Sequence, residues 1–516
     1  VGNGKSGVPA LPPLRLGGVI VVCCLVALYT IGVQPVKDPD FWWHLATGRY
    51  MAAHHVIPRH DVFSLTAQSH RWITHEWVTE LLFYAGWVTG GTRLLALVTG
   101  LVIVAAFYLV YLAAIERGAP MPIAASLMVL AAIASAHTWN TRPQMLTMLF
   151  TAAYGLAISR MLVRKESAPP FWVAALMLAW VNLHGGFIFG LAVLIIGTAG
   201  YMAPALLAWK PRTRAAGTVR PPASCSGMQS TASPSRCVAV LALTCVSTLI
   251  NPNGLAGALY PFSYLGNNAS TRYISEWVSP DFHQGQYLFF EALVLVLLAG
   301  ALASAKRARL ADGLVLFPLL YLSFESVRNI PVFAVIAAPV AAELVAGAIG
   351  VRRGVPRPLP PARSLLNWLA AVIIALAGFV VATGKVTATK QAQAEAKMYP
   401  VAALAWARTH NLPARGFNSY LWGGYLIWHR YPGRFVYVDG RPDMYGDVFM
   451  DQFVHAYDGD PGWQSLLDRN DLCYALVEPD SGIAGVLRTA RGWTLRYHDA
   501  VAVIYERTVL NAGCWQ

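Results

Sequence analysis

The sequence predicts a polytopic α-helical membrane protein of about eleven transmembrane helices with a small C-terminal α/β domain. Three observations carry this. Of 516 residues, 56% are hydrophobic and 13% charged, with a mean hydropathy of +0.47, where a soluble domain holds roughly 25% charged residues. The apolar residues gather in runs near the ~20-residue length that a bilayer requires. The basic residues fall in short clusters between those runs, which is how membrane proteins are oriented. The formal charge of +13 therefore does not describe a basic face on a soluble domain, and no nucleic-acid partner is expected.

Along the chain, the opening VGNGKSG lacks the first glycine of a phosphate loop and runs into VPALPP rather than a helix. It is expected to be a tail, and the absent initiator Met points to a processed or engineered start. Spans are expected near 16–35, 92–114, 120–137, 143–162, 171–184, 187–208, 237–250, 286–304, 312–326, 330–350 and 364–384. The pair around HGG (184–186) reads as a broken helix or a tight hairpin. Residues 76–91 are amphipathic and read as an interfacial or partly inserted helix. The transmembrane domain thus covers 1–384, with a first outer loop at 36–91 and a Pro/Ser/Thr/Arg-rich linker at 209–235. No internal repeat of the kind seen in many transporters is evident.

Orientation follows from the cations. Arg160, Arg164 and Lys165; Lys210, Arg212, Arg214, Arg220 and Arg236; Lys306, Arg307 and Arg309; and Arg352, Arg353, Arg357 and Arg363 all fall on one side with eleven spans, together with Lys5 and Arg15. The positive-inside rule makes that side, and the N-terminus, cytoplasmic. A multi-pass protein of the cell inner membrane is expected. The other face then collects DPDFWWH (38–44), THEW (74–77), NTRPQ (140–144), NLHGG (182–186), NPNG (251–254), SEWVSPDFH (275–283) and VRN (327–329). Trp, His, Asp, Glu and Asn concentrate there, as a site on the outer face requires.

From 385 the chain reads as an extracytoplasmic α/β domain to 516. KQAQAEAKMYPVAALAWARTHN is expected to be helical, and FNSYLWGGYLIW, RFVYVDG, LCYALVEP and WTLRYHDAVAVIYER strand-like, the last a hairpin turning near Asp499. Cys473 and Cys514 are the two cysteines of this domain, where an oxidising compartment would permit a disulfide. Cys23, Cys24, Cys237 and Cys245 lie in or beside apolar runs as small hydrophobes.

Several residues could carry chemistry. Asp40 could be the N-cap of an interfacial helix anchored by Trp42 and Trp43, or a general base whose pKa is raised by desolvation. Asp38, held by Pro39, could orient it or share a divalent cation (Mg or Mn). Arg142 and Arg328 stand at the outer ends of apolar runs, either snorkelling or binding phosphate bidentately; Asn329 lies beside Arg328. His184 is either a buried structural histidine or a group that glycines let a ligand approach. HEW is not a metalloprotease motif, since Thr79 stands where HExxH needs its second histidine. Glu76 could pair with Arg71 or Arg93 or bind sugar hydroxyls, and His44, His75 and Glu76 could join the aspartates at a metal. Asp439, Arg441, Asp443 and Asp447, near Tyr437 and Tyr445, form either a backbone turn or a lip for substrate.

A first outer loop opening on DxD, many spans and an outer soluble domain resemble the GT-C glycosyltransferases. More narrowly, DPDFWWHLATGRYMAAHHVIPRHDVFSLT and HEWVTELLFY (residues 38–66 and 75–84), with NPNG, RNIPVF and GGYLIW…VDGRPDMYG, are similar to a largely uncharacterised bacterial branch of that superfamily. The resemblance implies a GT-C-like fold and transfer of sugar from a polyprenyl-phosphate-linked donor to an acceptor hydroxyl on a glycan, lipid or protein. It implies an acid at the end of the first span as base, matching Asp40 or Asp38, with stereochemistry left open. DPD departs from the DE or single-D forms of better-known branches, which leaves the division of labour and any metal requirement open. The rival reading is a non-enzymatic lipid or sugar transporter, or an accessory subunit with a partner-docking outer domain. A transporter should show acids deep within its spans, whereas Glu291, Glu325 and Glu343 fall at or near predicted ends.

Overall fold

The computed structural model describes residues 12–68, 70–208, 233–264, 269–305, 308–351, 358–510 and 514. The N-terminal VGNGKSG, nearly all of the 209–235 linker and the basic residues at 210–220, 306–307 and 352–357 lie outside them. Helices dominate: α1 (Leu16–Gly32), α2 (Asp40–His54), α3 (Trp77–Glu116), α4 (Met121–Ser135), α5 (Gln144–Arg164), α6 (Trp172–Leu183), α7 (Phe187–Ala208) and α8 (Pro234–Ser247). Two short helices, α9 (Leu255–Leu259) and α10 (Ala269–Tyr273), cross a loop region before α11 (Leu288–Ala303), α12 (Leu310–Glu325), α13 (Ile330–Ala348) and α14 (Pro361–Lys385). Each of the eleven expected spans falls on a helix. Among the described residues, six helical stretches are long and apolar enough to cross a membrane, and α1, α6, α7 and α8 are shorter apolar helices. The amphipathic stretch 76–91 is not a separate helix: it continues into α3 through one break at Gly91, where φ is +62°. The HGG segment is a tight turn between α6 and α7.

Helix α13 is the hub. Nearly all its residues are buried, against α3, α4, α5, α11 and α12, so it is apolar on every face. At one end of the bundle, Arg164 binds Glu116 and Arg117 binds Asp312 and Glu343. At the other end, loops 33–39, 136–143, 184–186, 248–264, 274–287 and 326–329 converge beneath the C-terminal domain.

That domain departs from expectation in its middle. The helical stretch after 385 is two helices, α15 (Ala388–Met398) and α16 (Val401–Thr409), because Pro400 lacks the N–H and interrupts the ladder. The sheet has order β1-β2-β4-β3, with β1 (Gly416–Asn418) parallel to β2 (Tyr474–Val477), and β4 (Val503–Arg507) antiparallel to β2 and β3 (Trp493–His498). The hairpin turns at Asp499, whose carboxylate accepts from the N–H groups of Val501 and Ala502. The GGYLIW segment is helix α17 (Gly423–Arg430), not a strand, and RFVYVDG is extended with a single bridge from Val436 to Ser64. Short helices α18 (Pro442–Tyr445), α19 (Asp447–Tyr457), α20 (Trp463–Arg469) and α21 (Gly482–Leu487) complete the domain. Cys473 and Cys514 are disulfide-bonded.

The loop that follows α1 and the C-terminal domain share one core. Trp42 packs edge-on against Tyr399 and Tyr425, which stack on each other, and Phe63 packs on Tyr431. The expectation that Trp42 and Trp43 anchor at headgroup depth is thereby corrected: Trp42 is 2% and Trp43 8% exposed. Their indoles cement α2 to the domain above it.

Candidate functional site

A cavity of about 360 Å³ opens where these layers meet, lined by residues from α2, the 140–144 turn, the 260–277 segment, Arg328 and the 440–443 turn. Helix α2 begins abruptly. Pro39 precedes it without a side-chain cap, and Asp38 Oδ1 accepts the Asp40 N–H at 2.9 Å. Asp40 is therefore the first residue of the helix rather than its N-cap, and Asp38 does the capping. Gly424 lets α17 close over this start, since a β-carbon there would stand 2.7 Å from the Pro39 carbonyl.

Both aspartates face Arg142. Its Nε lies 3.3 Å from Asp38 Oδ1, one Nη bonds Asp40 and the other bonds Glu276. Arg142 was expected to hold phosphate; here three carboxylates engage its guanidinium. Burial pushes Asp38 up to about 7 against the pull of Arg142, with Asp40 and Glu276 adding to the rise. Burial likewise raises Asp40, opposed by Arg142 and reinforced by Glu276. Glu276 is held below the carboxylate range: burial would raise it, but Arg142 and then Arg328 prevail.

Arg328 is less committed. Its Nη1 is 3.8 Å from Glu276 and its guanidinium lies 5.0 Å above the Trp277 ring, which stacks on Tyr264. The 275–278 turn docks on 326–327 through the Ser326 hydroxyl to the Glu276 carbonyl and the Val327 N–H to the Val278 carbonyl. Asn329 is not in the cavity wall. Its amide donates to the Leu322 carbonyl at 2.9 Å and closes the end of α12.

A second cluster surrounds Glu76. His75 and His184 approach its Oε1 at 3.3 and 3.2 Å, and His44 its Oε2 at 3.3 Å. Neither Arg71 nor Arg93 pairs with it, correcting that expectation. His184 Nδ1 accepts from the Gly186 N–H at 2.9 Å and stands 2.6 Å from the Thr147 hydroxyl, so its proton sits on Nε2, aimed at Glu76. Gly186 must be bare for this, because a β-carbon would stand 2.2 Å from Thr147 Oγ1. His75 Nδ1 faces the Ile73 carbonyl, which needs a donor, and Nε2 faces a carboxylate, so His75 is the imidazolium. Burial opposes that charge, but Glu76 raises its pKa. Burial pushes His44 and His184 down to about 3, leaving both neutral. Glu76 itself is depressed: burial would raise it, and the charge and hydrogen bond of His75 overcome burial.

Position follows from helix geometry. Residues 44 and 48 share a face, and a β-carbon at Gly48 would stand 2.1 Å from the Glu80 carbonyl. Bare Gly48 thus brings α2 against α3 and His44 to 3.3 Å from Glu80. His44, Glu76 and Glu80 each offer a ligand atom within 4.8 Å of the others, all buried. These three are the side chains that could hold a divalent cation; Asp38 and Asp40 face Arg142 instead.

The 440 turn completes the wall. Arg441, 3% exposed, binds Asp439 at 2.6 Å and Asp61 at 2.9 Å and lies 4.5 Å above Trp72, while the Tyr445 hydroxyl also bonds Asp439. Asp439 and Arg441 therefore form a buried pair beneath the turn, and Tyr437 is a core residue. Asp443 reaches the cavity and accepts from the Tyr260 hydroxyl, which meets the Tyr264 hydroxyl at 2.6 Å. Asp447 lies outside the cavity, in a neighbouring recess.

Of the residues expected from sequence, Asp38, Asp40, His44, His75, Glu76, Arg142, His184 and Arg328 all line the cavity. Glu276, Tyr260, Tyr264 and Gly440 were not singled out. Glu276 had a signal, as the acid of the SEWVSPDFH stretch already placed on the same face.

No family model matches the chain, and no curated protein matches it. Solved structures do. The Archaeoglobus fulgidus oligosaccharyltransferase in the apo form aligns over 96% of this chain and 75% of its own, at 11% identity and a TM-score of 0.56. The archaeal oligosaccharyltransferase AglB from Archaeoglobus fulgidus, in complex with an inhibitory peptide and a dolichol-phosphate, aligns over 95% and 74%, at 12% identity and 0.54. The chain shares the fold of these two oligosaccharyltransferase structures. ArnT from Cupriavidus metallidurans in the apo state aligns over 94% and 97%, at 14% identity and 0.46.

Proposed function

We propose that the protein transfers a sugar from a polyprenyl-phosphate donor to an acceptor hydroxyl on the outer face of the membrane. The observation that supports this most is one cavity, in a GT-C fold, that holds a carboxylate with a raised pKa and an arginine not saturated by carboxylates. Asp40 takes the proton from the acceptor hydroxyl as its oxygen bonds the anomeric carbon. The bond from that carbon to phosphate oxygen breaks, and the phosphate leaves onto Arg328. Asp38 and Arg142 position Asp40, and Trp277 with Tyr264 offers an aromatic face for a sugar ring. A divalent cation, if used, would be held by His44, Glu76 and Glu80, where it would supply positive charge at the cavity wall. The Cys473–Cys514 bond supports an oxidising, extracytoplasmic side for the domain, with the N-terminus cytoplasmic and the protein in the cell inner membrane.

The test is transfer by the purified protein from a panel of polyprenyl-phosphate sugars. Asp40→Asn should abolish turnover while leaving the unfolding midpoint near that of the wild type. Full activity in Asp40→Asn and in Asp38→Asn would remove the assignment.

A further inference from the structure

A second pocket, of about 250 Å³, lies on the C-terminal domain, lined by Leu404, Ala407, Arg408, Asn411, Leu412, His429, Arg430 and Arg434. It shares no lining residue with the catalytic cavity. Among the described residues its polar lining is three guanidiniums, an imidazole and an amide, with no carboxylate.

The bonds these cations make are to neutral groups. Arg434 donates to the Leu412 carbonyl at 2.9 Å. Arg430 donates to the Tyr474 hydroxyl at 3.0 Å and lies 5.9 Å above its ring. Arg49 stands behind them, donating to the Trp428 carbonyl at 3.0 Å. The last turn of α17 favours some positive charge through the helix dipole, but a dipole worth half a charge does not balance three arginines. Burial and then the charge of Arg430 hold the Arg434 guanidinium below its ordinary value. His429 is pushed down to about 4 by burial, then by Arg408 and Arg49, and its Nε2 is buried without a hydrogen-bond partner. Three guanidiniums that meet around one hollow, in contact there with neutral groups, present the donor set that an anion completes. Planar guanidiniums recognise phosphate oxygens through paired N–H donors.

We infer that this pocket binds a phosphate ester, with Arg408, Arg430 and Arg434 around the oxyanion and His429 in the pocket wall. The neighbouring Trp428 packs on Trp87 of α3 at 4.8 Å, and Trp87 is itself exposed. Tryptophans of membrane helices favour the headgroup level, so the ester can come from a lipid headgroup or from a free solute.

Native mass spectrometry of the purified full chain separates the sources, using glycerol 1-phosphate in one arm and phosphatidylglycerol against phosphatidylcholine in the other. Arg408 is exposed at the pocket rim, so Arg408→Gln should fold normally. Wild type should retain one saturable adduct, and Arg408→Gln should weaken it about tenfold, the loss of one charged hydrogen bond. Arg488→Gln, at an exposed site elsewhere on the domain, should not. An adduct with glycerol 1-phosphate assigns a solute site; one with phosphatidylglycerol alone assigns a headgroup site. No saturable adduct in either arm, or equal weakening by Arg408→Gln and Arg488→Gln, overturns the inference. Because no sugar transfer is read, this result stands or falls apart from the proposed reaction.

Discussion

Asp40 Oδ1 occupies the space that a side chain at residue 440 would need: a β-carbon on Gly440 would stand 2.0 Å from that oxygen and 3.2 Å from Trp43 Nε1. Gly440 is not among the glycines with positive φ, so its bareness is about room and not about backbone conformation. The C-terminal domain thereby sets the position of an acid that belongs to the start of α2.

Gly440→Ala should therefore keep the fold and move Asp40. Contacts under 3 Å do not persist, so the carboxylate or the turn must shift by about 1 Å, which can cost about 100-fold in rate. Initial transfer rates and the thermal unfolding midpoint, measured together, check this. A normal rate in Gly440→Ala would mean that the acid's position does not depend on the turn.

The pH profile carries a sign that can be worked out. Asp38 is raised to about 7 and Asp40 is raised with it, and two acids sharing Arg142 titrate together. The folded protein holds these protons more tightly than the unfolded chain. Their contribution to stability is thus fully present below the ordinary carboxylate range and is lost as pH rises through 7. Activity runs the other way, because a base must be ionised, so kcat/KM should rise with pH through a limb near 7. Glu276 raises both acids, so Glu276→Gln should move that limb towards lower pH. A limb that stays in place in this variant would detach Glu276 from the acid pair.

The two arginines should separate. Arg328→Ala leaves Glu276 paired with Arg142 and should change stability by under about 1 kcal/mol, since its own pair is long and partly exposed. Donor binding should weaken by about 10- to 100-fold, the value of a charged hydrogen bond to phosphate. Arg142→Ala instead leaves three carboxylates together, and its unfolding midpoint should fall further as pH rises and they ionise. Binding of a polyprenyl phosphate and melting curves at pH 6 and 8 distinguish the two patterns.

Much of this was legible in the sequence, and what was not has a physical cause. The spans could be read because a bilayer imposes length and composition at once, and each falls on a helix. Asp38, His75 and Arg328 could be read because polar groups beside apolar runs are costly and conspicuous. The partner of Arg142 could not, since 102 residues separate it from Asp40 and no periodicity links them. Helix α17 reads as a strand because Tyr, Leu, Ile and Trp suit a pleated surface. Its helical form is imposed from outside, where Gly423 and Gly424 let it lie against Val438 and Pro39. Gly440 carries no sequence signal of its use, because the oxygen it makes room for is 400 residues away.

The far end of the bundle offers a control for all of these. Arg117 donates to Asp312 at 2.6 and 3.0 Å, to Glu343 at 3.1 Å and to Ser159 at 2.9 Å, tying α3 to α12, α13 and α5. Arg309 also binds Glu343, at 2.6 and 3.0 Å, but it is partly exposed and covers Asp312 only loosely at 3.5 Å. Arg117→Met should leave Asp312 buried beside a thioether and cost about 3–5 kcal/mol, as the loss of one partner of a buried pair does. Removing the acid as well, in Arg117→Met with Asp312→Leu, should restore most of that loss, because the desolvated charge goes with it. Transfer per folded molecule should be unchanged in both variants, since the cluster shares no residue with the cavity. Unfolding midpoints alongside rates normalised to folded protein test the argument. A rate loss in the double variant at normal stability would show that the two ends of the bundle are coupled.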